Sequence, residues 1–198
     1  MQVLTLNKSL LNSHSNELAN KVLKSSWQPE LIIGIRTGGV YIAKPLYDEL
    51  QKYHVTFYNE VSLSRPSTKK KKKFRVDKVL KKLPYFLLNL LRNVEVFIFE
   101  KSKTKNYINS REQNIQIDDT LHQQILSCNK ILLVDDAIDT GTTIVAIKNR
   151  FLSLNKDAEI KIAALTTTHK IPFIDADYSL YNRVLLRCPW AQDYKESD

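Results

Sequence analysis

Residues 131–143 read Ile131-Leu132-Leu133-Val134-Asp135-Asp136-Ala137-Ile138-Asp139-Thr140-Gly141-Thr142-Thr143. The unbroken branched apolar run describes a strand buried on both faces, and the acids that follow stand at its exposed end. A Thr/Gly-rich loop then leads into the amphipathic stretch 144–154, which predicts a helix. N–H groups at a helix start and threonine hydroxyls converge on one spot at the favourable end of the helix dipole, so this loop suits a phosphate. Neighbouring carboxylates repel a phosphate but accept hydrogen bonds from vicinal hydroxyls. Together the two features suit a phosphorylated sugar, with the acids on the ring and the loop on the 5′-phosphate. A Walker-type loop is excluded, because no Gly-Lys-Ser/Thr occurs in the chain.

Working outward, Leu31-Ile32-Ile33-Gly34-Ile35 reads as a second buried strand, 40–53 as a helix, 55–58 as a strand and 160–165 as the strand after the 144–154 helix. Strand and helix in alternation predict an α/β domain with a mainly parallel sheet covered on both faces. The chain has four glycines, and Gly34, Gly38, Gly39 and Gly141 all fall near the carboxyl ends of predicted strands or in the loops beyond them. Ligands of open α/β sheets bind at those ends, where backbone must come close to the ligand.

The segment 131–143 resembles the phosphoribosyl pyrophosphate (PRPP) motif of type I phosphoribosyltransferases, with its hydrophobic strand, paired acids and Asp-Thr-Gly-Thr loop. The resemblance implies that family's fold: a mainly parallel twisted sheet flanked by helices, with a small C-terminal hood. On this reading 1–198 is one domain, carrying a basic, partly helical insertion at about 61–105. A second stretch, Leu31 through Val40, resembles the family's pyrophosphate loop. Arg36 would supply charge-assisted hydrogen bonds there, and Thr37, Gly38 and Gly39 a turn of inward N–H groups. Thr140, Gly141, Thr142 and Thr143 would hold the 5′-phosphate.

The implied chemistry is displacement at the anomeric carbon of PRPP with inversion, through an oxocarbenium-like state. Mg²⁺ would bridge diphosphate and ribose hydroxyls, held mostly by substrate and water, with Asp135 and Asp136 as the protein's contribution. The same two acids would orient the ribose and favour the cationic ring. Asp139 is the candidate general base, with helix capping as its other reading. Ser64, Arg65, Ser67 and Thr68 fall where the family has a mobile catalytic loop.

The acceptor is read from the carboxyl-terminal region. In 6-oxopurine members a lysine just after the next strand reads the ring oxygen, and an aromatic side chain near the terminus stacks on the base. Here Thr166-Thr167-Thr168-His169 precedes Lys170, and the stacking position falls on Leu185-Leu186. Trp190, Tyr178 and Tyr181 are the aromatic substitutes, each equally readable as core or rim. These departures favour a non-purine hydroxyl acceptor such as a lipid-linked surface glycan, giving a ribofuranosyl product. The alternatives are purine salvage with a divergent hood, or a non-catalytic PRPP-binding regulator of nucleic acid. The presence of Asp139 counts against the regulator.

Charge adds a second clue. The formal net charge is +9, yet residues 65–105 hold fourteen Lys or Arg against Asp77, Glu95 and Glu100, and the rest of the chain is mildly acidic. Five of those lysines are consecutive, at 69–73. Val79, Leu80, Leu83, Phe86, Leu87, Leu90, Leu91 and Val94 recur at helical spacing, while Lys78, Lys81, Lys82 and Arg92 lie off that stripe and Pro84 interrupts it. Such a stripe can bury against its own domain or a homodimer mate, dock on an anionic membrane, or meet nucleic acid. Hydrophobic residues at 43% exclude a disordered chain. Two isolated cysteines encode neither a disulfide framework nor a zinc site, and the opening residues lack the apolar core of a signal peptide. With no stretch long enough to span a bilayer, the expectation is a cytoplasmic protein, peripheral on the membrane if the stripe docks there.

Overall fold

Leu31–Ile35 is buried at every position because it forms the middle of a sheet covered on both sides. The computed structural model describes residues 1–53, 55–63, 83–101 and 115–195, and the side chains of all these except 95–101. In chain order the elements are β1 (Gln2–Thr5), α1 (Lys8–Lys24), β2 (Leu31–Ile35), α2 (Val40–Leu50), β3 (Phe57–Leu63) and α3 (Tyr85–Lys101). After these come β4 (Ile115–Gln116), α4 (Asp119–Ser127), β5 (Lys130–Ile138), α5 (Thr142–Leu154), β6 (Glu159–Thr167), β7 (Tyr178–Asn182) and β8 (Val184–Arg187).

The main sheet has six strands in the order β4-β3-β2-β5-β6-β7, parallel except for the short antiparallel β4. Side chains alternate along its central strands and divide the core. Ile32, Leu132, Val134 and Leu165 pack with Leu18, Val22 and Leu46 of α1 and α2. Leu31, Ile33, Ile131, Leu133 and Ile162 pack with Ile125, Ile147 and Phe151 of α4 and α5. Period-two burial on both faces is what a doubly covered parallel sheet requires, and it explains why its strands read as continuous apolar runs.

Several boundaries differ from the sequence reading. The helix expected over 40–53 ends at Leu50 and tightens into a 3₁₀ turn, Gln51–Tyr53. The strand expected at 55–58 runs from Phe57 to Leu63, so residues 61–63 belong to the sheet and not to the insertion. β5 continues beyond Val134 to Ile138, because β6 keeps pairing with it through Thr166 and Thr167. α5 starts at Thr142, ahead of Ile144. The apolar pattern does not announce α1 and α4; each is capped by a side chain, Asn7 accepting from the Leu10 N–H and Asp118 from the Leu121 N–H.

The hood is not purely C-terminal. β1 from the amino terminus pairs in parallel with β8, Gln2 opposite Val184 and Thr5 opposite Arg187, in a separate two-stranded sheet. Helix α3 starts directly after Pro84, whose fixed φ suits a helix entrance, and ties to this hood through polar groups. Arg92 donates from Nε and Nη2 to both carboxylate oxygens of Asp193 (2.8 and 2.5 Å) and from Nη1 to the Leu186 carbonyl (2.7 Å). Arg187, 1% exposed, donates to the same Asp193 (2.9 Å) and to Asn89 Oδ1 (2.8 Å). Burial alone would raise the Asp193 carboxyl; the two guanidinium groups outweigh it and hold the carboxyl at about 2.

Candidate active site

The last residues paired between β2 and β5 are Gly34 and Val134, and Asp135 is the next residue of β5. Beyond them the chain leaves β2 through α2 toward β3 on one side, and leaves β5 through α5 toward β6 on the other. A crevice opens where two neighbouring parallel strands send their connections in opposite directions, outside the strands' carboxyl ends. It holds a cavity of about 580 Å³.

Its walls come from three places in the sequence. The turn after β2 contributes Arg36, Thr37 and Gly38; β5 and the loop after it contribute Asp135 and Asp136, then Asp139, Thr140, Gly141, Thr142 and Thr143; the tail contributes Trp190. Of the expected site residues with described positions, only Gly39 is not on the wall; it caps the start of α2. Ser64, Arg65, Ser67 and Thr68 lie outside the described residues.

The turn and the acids fit tightly. A methyl group added at Gly38 would overlap the Asp136 carboxylate, so glycine is what lets the backbone turn pass beside it. Gly141 has φ +77°, a left-handed conformation open to glycine at little cost, and it starts α5 with no side-chain cap. Thr140 and Thr142 are buried with their hydroxyls 3.1 Å apart. The helix dipole, backbone and hydroxyls thereby face one end of the cavity, an anion-suited corner.

Burial in the wall, and then repulsion from Asp136, hold the Asp135 carboxyl well above the usual carboxylate range. Burial likewise raises Asp136, opposed by hydrogen bonds that include the Trp190 indole N–H donating to Oδ2 at 3.2 Å. Among the described residues Arg36 is the cation on the wall, and its Nε donates to Glu60 Oε2 at 2.7 Å, so part of its charge is already met. A pair of crowded carboxylates gains from hydroxyl donors or a hard cation. Mg²⁺ takes one or two carboxylates and keeps water or substrate oxygen elsewhere, so two adjacent acids suit it. Among the described residues no cluster of three or more ligating side chains occurs.

Asp139 stands at the entrance of the loop, directly after β5. The hydroxyl of Thr168, one residue beyond β6, donates to Asp139 Oδ1 at 2.5 Å. Thr168 is itself buried, and Arg183 Nη1 donates to its carbonyl at 2.6 Å. Lys170 is exposed and does not line the cavity. Of the three candidate stacking aromatics, Tyr178 packs near Trp27 and Tyr181 bonds to His14, while Trp190 lines the cavity and stacks on Tyr41 with ring centres 4.6 Å apart. Sequence reasoning misses Tyr41 and Thr168, because their roles depend on which elements the fold brings together. Cys188 adjoins the site, and burial followed by the Asp136 charge pushes its thiol up to about 12.

A parallel sheet whose switch point carries paired acids and a Thr/Gly loop places a ligand site outside the carboxyl ends of its strands. The phosphoribosyl transferase domain family matches residues 6–172, and the chain belongs to that family, with its α/β fold of mostly parallel strands flanked by helices. Among solved structures, a purine phosphoribosyltransferase from Pyrococcus horikoshii is similar over 96% of this chain and 95% of that one, with TM-score 0.56 and 19% identity. A hypothetical protein from Neisseria gonorrhoeae with bound ppGpp gives TM-score 0.59 at 15% identity, covering 96% and 89%. Helicobacter pylori xanthine-guanine-hypoxanthine phosphoribosyltransferase gives 0.54 at 13%, covering 96% and 92%. At such identities the likeness is one of fold. No curated protein matches the chain.

Proposed function

We propose that the protein transfers the 5-phosphoribosyl group of PRPP, with inversion, to a hydroxyl of a sugar acceptor, such as a glycan carried on a lipid at the cytoplasmic face of a membrane. In this reaction the acceptor oxygen bonds to the anomeric carbon, the bond from that carbon to the diphosphate breaks, pyrophosphate leaves, and the hydroxyl proton passes to Asp139. Thr140, Gly141, Thr142 and Thr143 hold the 5′-phosphate; Arg36, Thr37 and Gly38 hold the diphosphate, with Gly39 starting α2 behind them. Asp135 and Asp136 take the ribose hydroxyls, and their negative field favours the cationic ring as the leaving group departs. When bound, Mg²⁺ would neutralise diphosphate charge, with Asp135 and Asp136 as its protein ligands.

The observation that carries the acceptor assignment is the Thr168 hydroxyl donating to Asp139 where 6-oxopurine members have a lysine, with Lys170 exposed and off the cavity wall. A sugar hydroxyl is less acidic than a purine nitrogen, so a base oriented by a fixed hydrogen bond is worth more to that reaction. Trp190 and Tyr41, stacked at the cavity edge, offer an apolar surface of the sort a pyranose face covers. Two buried free cysteines fit a reducing compartment.

Supplying labelled PRPP and Mg²⁺ with hypoxanthine, guanine and xanthine in one set of reactions, and with membrane glycan lipid in another, separates the acceptors. Label should enter the glycan lipid and not the bases. Rapid nucleotide formation from any of the three purines would replace this assignment with base salvage.

A further inference from the structure

Helix α3 is arranged inside out. Asn89, Arg92 and Asn93 face the hood: Arg92 is bound to Asp193, Asn89 accepts from Arg187, and Asn93 exchanges hydrogen bonds with the first residue's ammonium and carbonyl. Leu88 is buried, but Phe86, Leu90, Leu91 and Val94 are 69%, 60%, 49% and 46% exposed. Positions 86, 90 and 94 lie one above another on a helix, so these side chains form one outward apolar stripe. A helix of a water-soluble domain turns such a stripe inward. Here buried ion pairs fix the opposite orientation.

We propose that this stripe seats on an anionic membrane surface, its side chains entering the boundary between head groups and acyl chains. Charge selects this occupant. Apart from Arg92, which is turned onto Asp193, residues 65–105 carry thirteen Lys or Arg against three acids in sequence, Lys81 and Lys82 directly preceding the described residues 83–101 and Lys101 closing α3. A second copy carries the same excess of positive charge, whereas an anionic leaflet complements it, each basic residue that reaches the surface strengthening binding by about fivefold. Nucleic acid would meet the lysines but has no use for a row of large apolar side chains on a solvent face. Among the described residues no helix is long and apolar enough to cross a membrane, so the contact proposed is interfacial. The inference does not depend on the acceptor assignment, though both involve the same tail: Asp193, held by Arg92, comes soon after Trp190 of the cavity wall.

The test is co-sedimentation of the full chain with phosphatidylcholine vesicles, with and without phosphatidylserine, alongside ultracentrifugation to establish oligomeric state. Wild type should bind the serine-containing vesicles, and Phe86→Glu with Leu90→Glu should weaken that binding by roughly tenfold or more at an unchanged melting temperature and oligomeric state. A polarity-sensitive dye on Leu90→Cys should shift to the blue when these vesicles are added, a readout that survives if the double variant folds poorly. Wild type left in the supernatant, equal binding by the double variant, a dye that does not respond, or a dimer that the double variant converts to monomer would each overturn the proposal.

Discussion

Thr168 and Asp139 meet beside the cavity, the hydroxyl at the end of β6 donating to the carboxylate that enters the α5 loop at 2.5 Å. A bond of this kind fixes the direction in which a carboxylate presents its second oxygen. Asp139→Asn should therefore lower kcat by about 10²–10⁴ while leaving PRPP affinity within a few fold, as expected on losing a general base. Thr168→Val, which leaves the acid in place but unoriented, should lower kcat by a smaller factor; steady-state kinetics with PRPP varied would separate the two effects. Unchanged kcat in Asp139→Asn would leave that residue only the structural role of accepting from Thr168, since α5 starts at Gly141 with no side-chain cap.

Asp135→Asn combined with Asp136→Asn should abolish measurable transfer without lowering the melting temperature. Both acids stand beyond the last β2–β5 pair, and the fold gains nothing from holding two crowded carboxylates in a wall that desolvates them. Calorimetric unfolding and a pyrophosphate-release assay on the same sample check both halves.

Gly38→Ala should abolish PRPP binding with little effect on folding, because the atoms nearest the added methyl are those of the Asp136 carboxylate on the cavity wall. Gly141→Ala should act differently. Its left-handed backbone makes any other residue cost about 1–2 kcal/mol, so urea denaturation should report lost stability together with lost binding.

Asp193 should make stability fall in acid. Its folded carboxyl titrates near 2 against about 3.9 unfolded, so its contribution is complete above about pH 4 and disappears as pH falls toward 2. The loss should be about 2–3 kcal/mol, read as the difference in pH dependence between wild type and Asp193→Asn. Asp193→Ala at neutral pH should cost more, about 3–5 kcal/mol, because it leaves the buried Arg187 guanidinium without a carboxylate to balance its charge.

Much of the centre of this molecule is legible in sequence because period and position there are dictated by burial. Ile131 to Val134 and Leu31 to Ile35 are covered on both faces, and a strand so placed has few alternatives to an apolar run. The acids and the Thr/Gly loop are legible as a site because adjacent carboxylates after an apolar run need a ligand-facing wall, although β5 carries on through them to Ile138. The hood is less legible. Nothing in Val3 and Leu4 announces that they will pair with Leu185 and Leu186 at the far end of the chain. The orientation of α3 is hidden for a related reason: Arg92 reads as a solvated lysine-like charge until Asp193 is brought to it. Trp190 is visible only as a candidate, since its bond to Asp136 depends on the tail folding back over the sheet.

The claim on which the functional account rests is that the corner made by Asp135, Asp136 and the loop from Asp139 to Thr143 grips PRPP. Titration calorimetry of the purified chain with PRPP and Mg²⁺ measures this without any knowledge of the acceptor. The account predicts saturable binding of one PRPP per chain, lost in Asp135→Asn with Asp136→Asn; no heat of binding from the wild-type protein would contradict it.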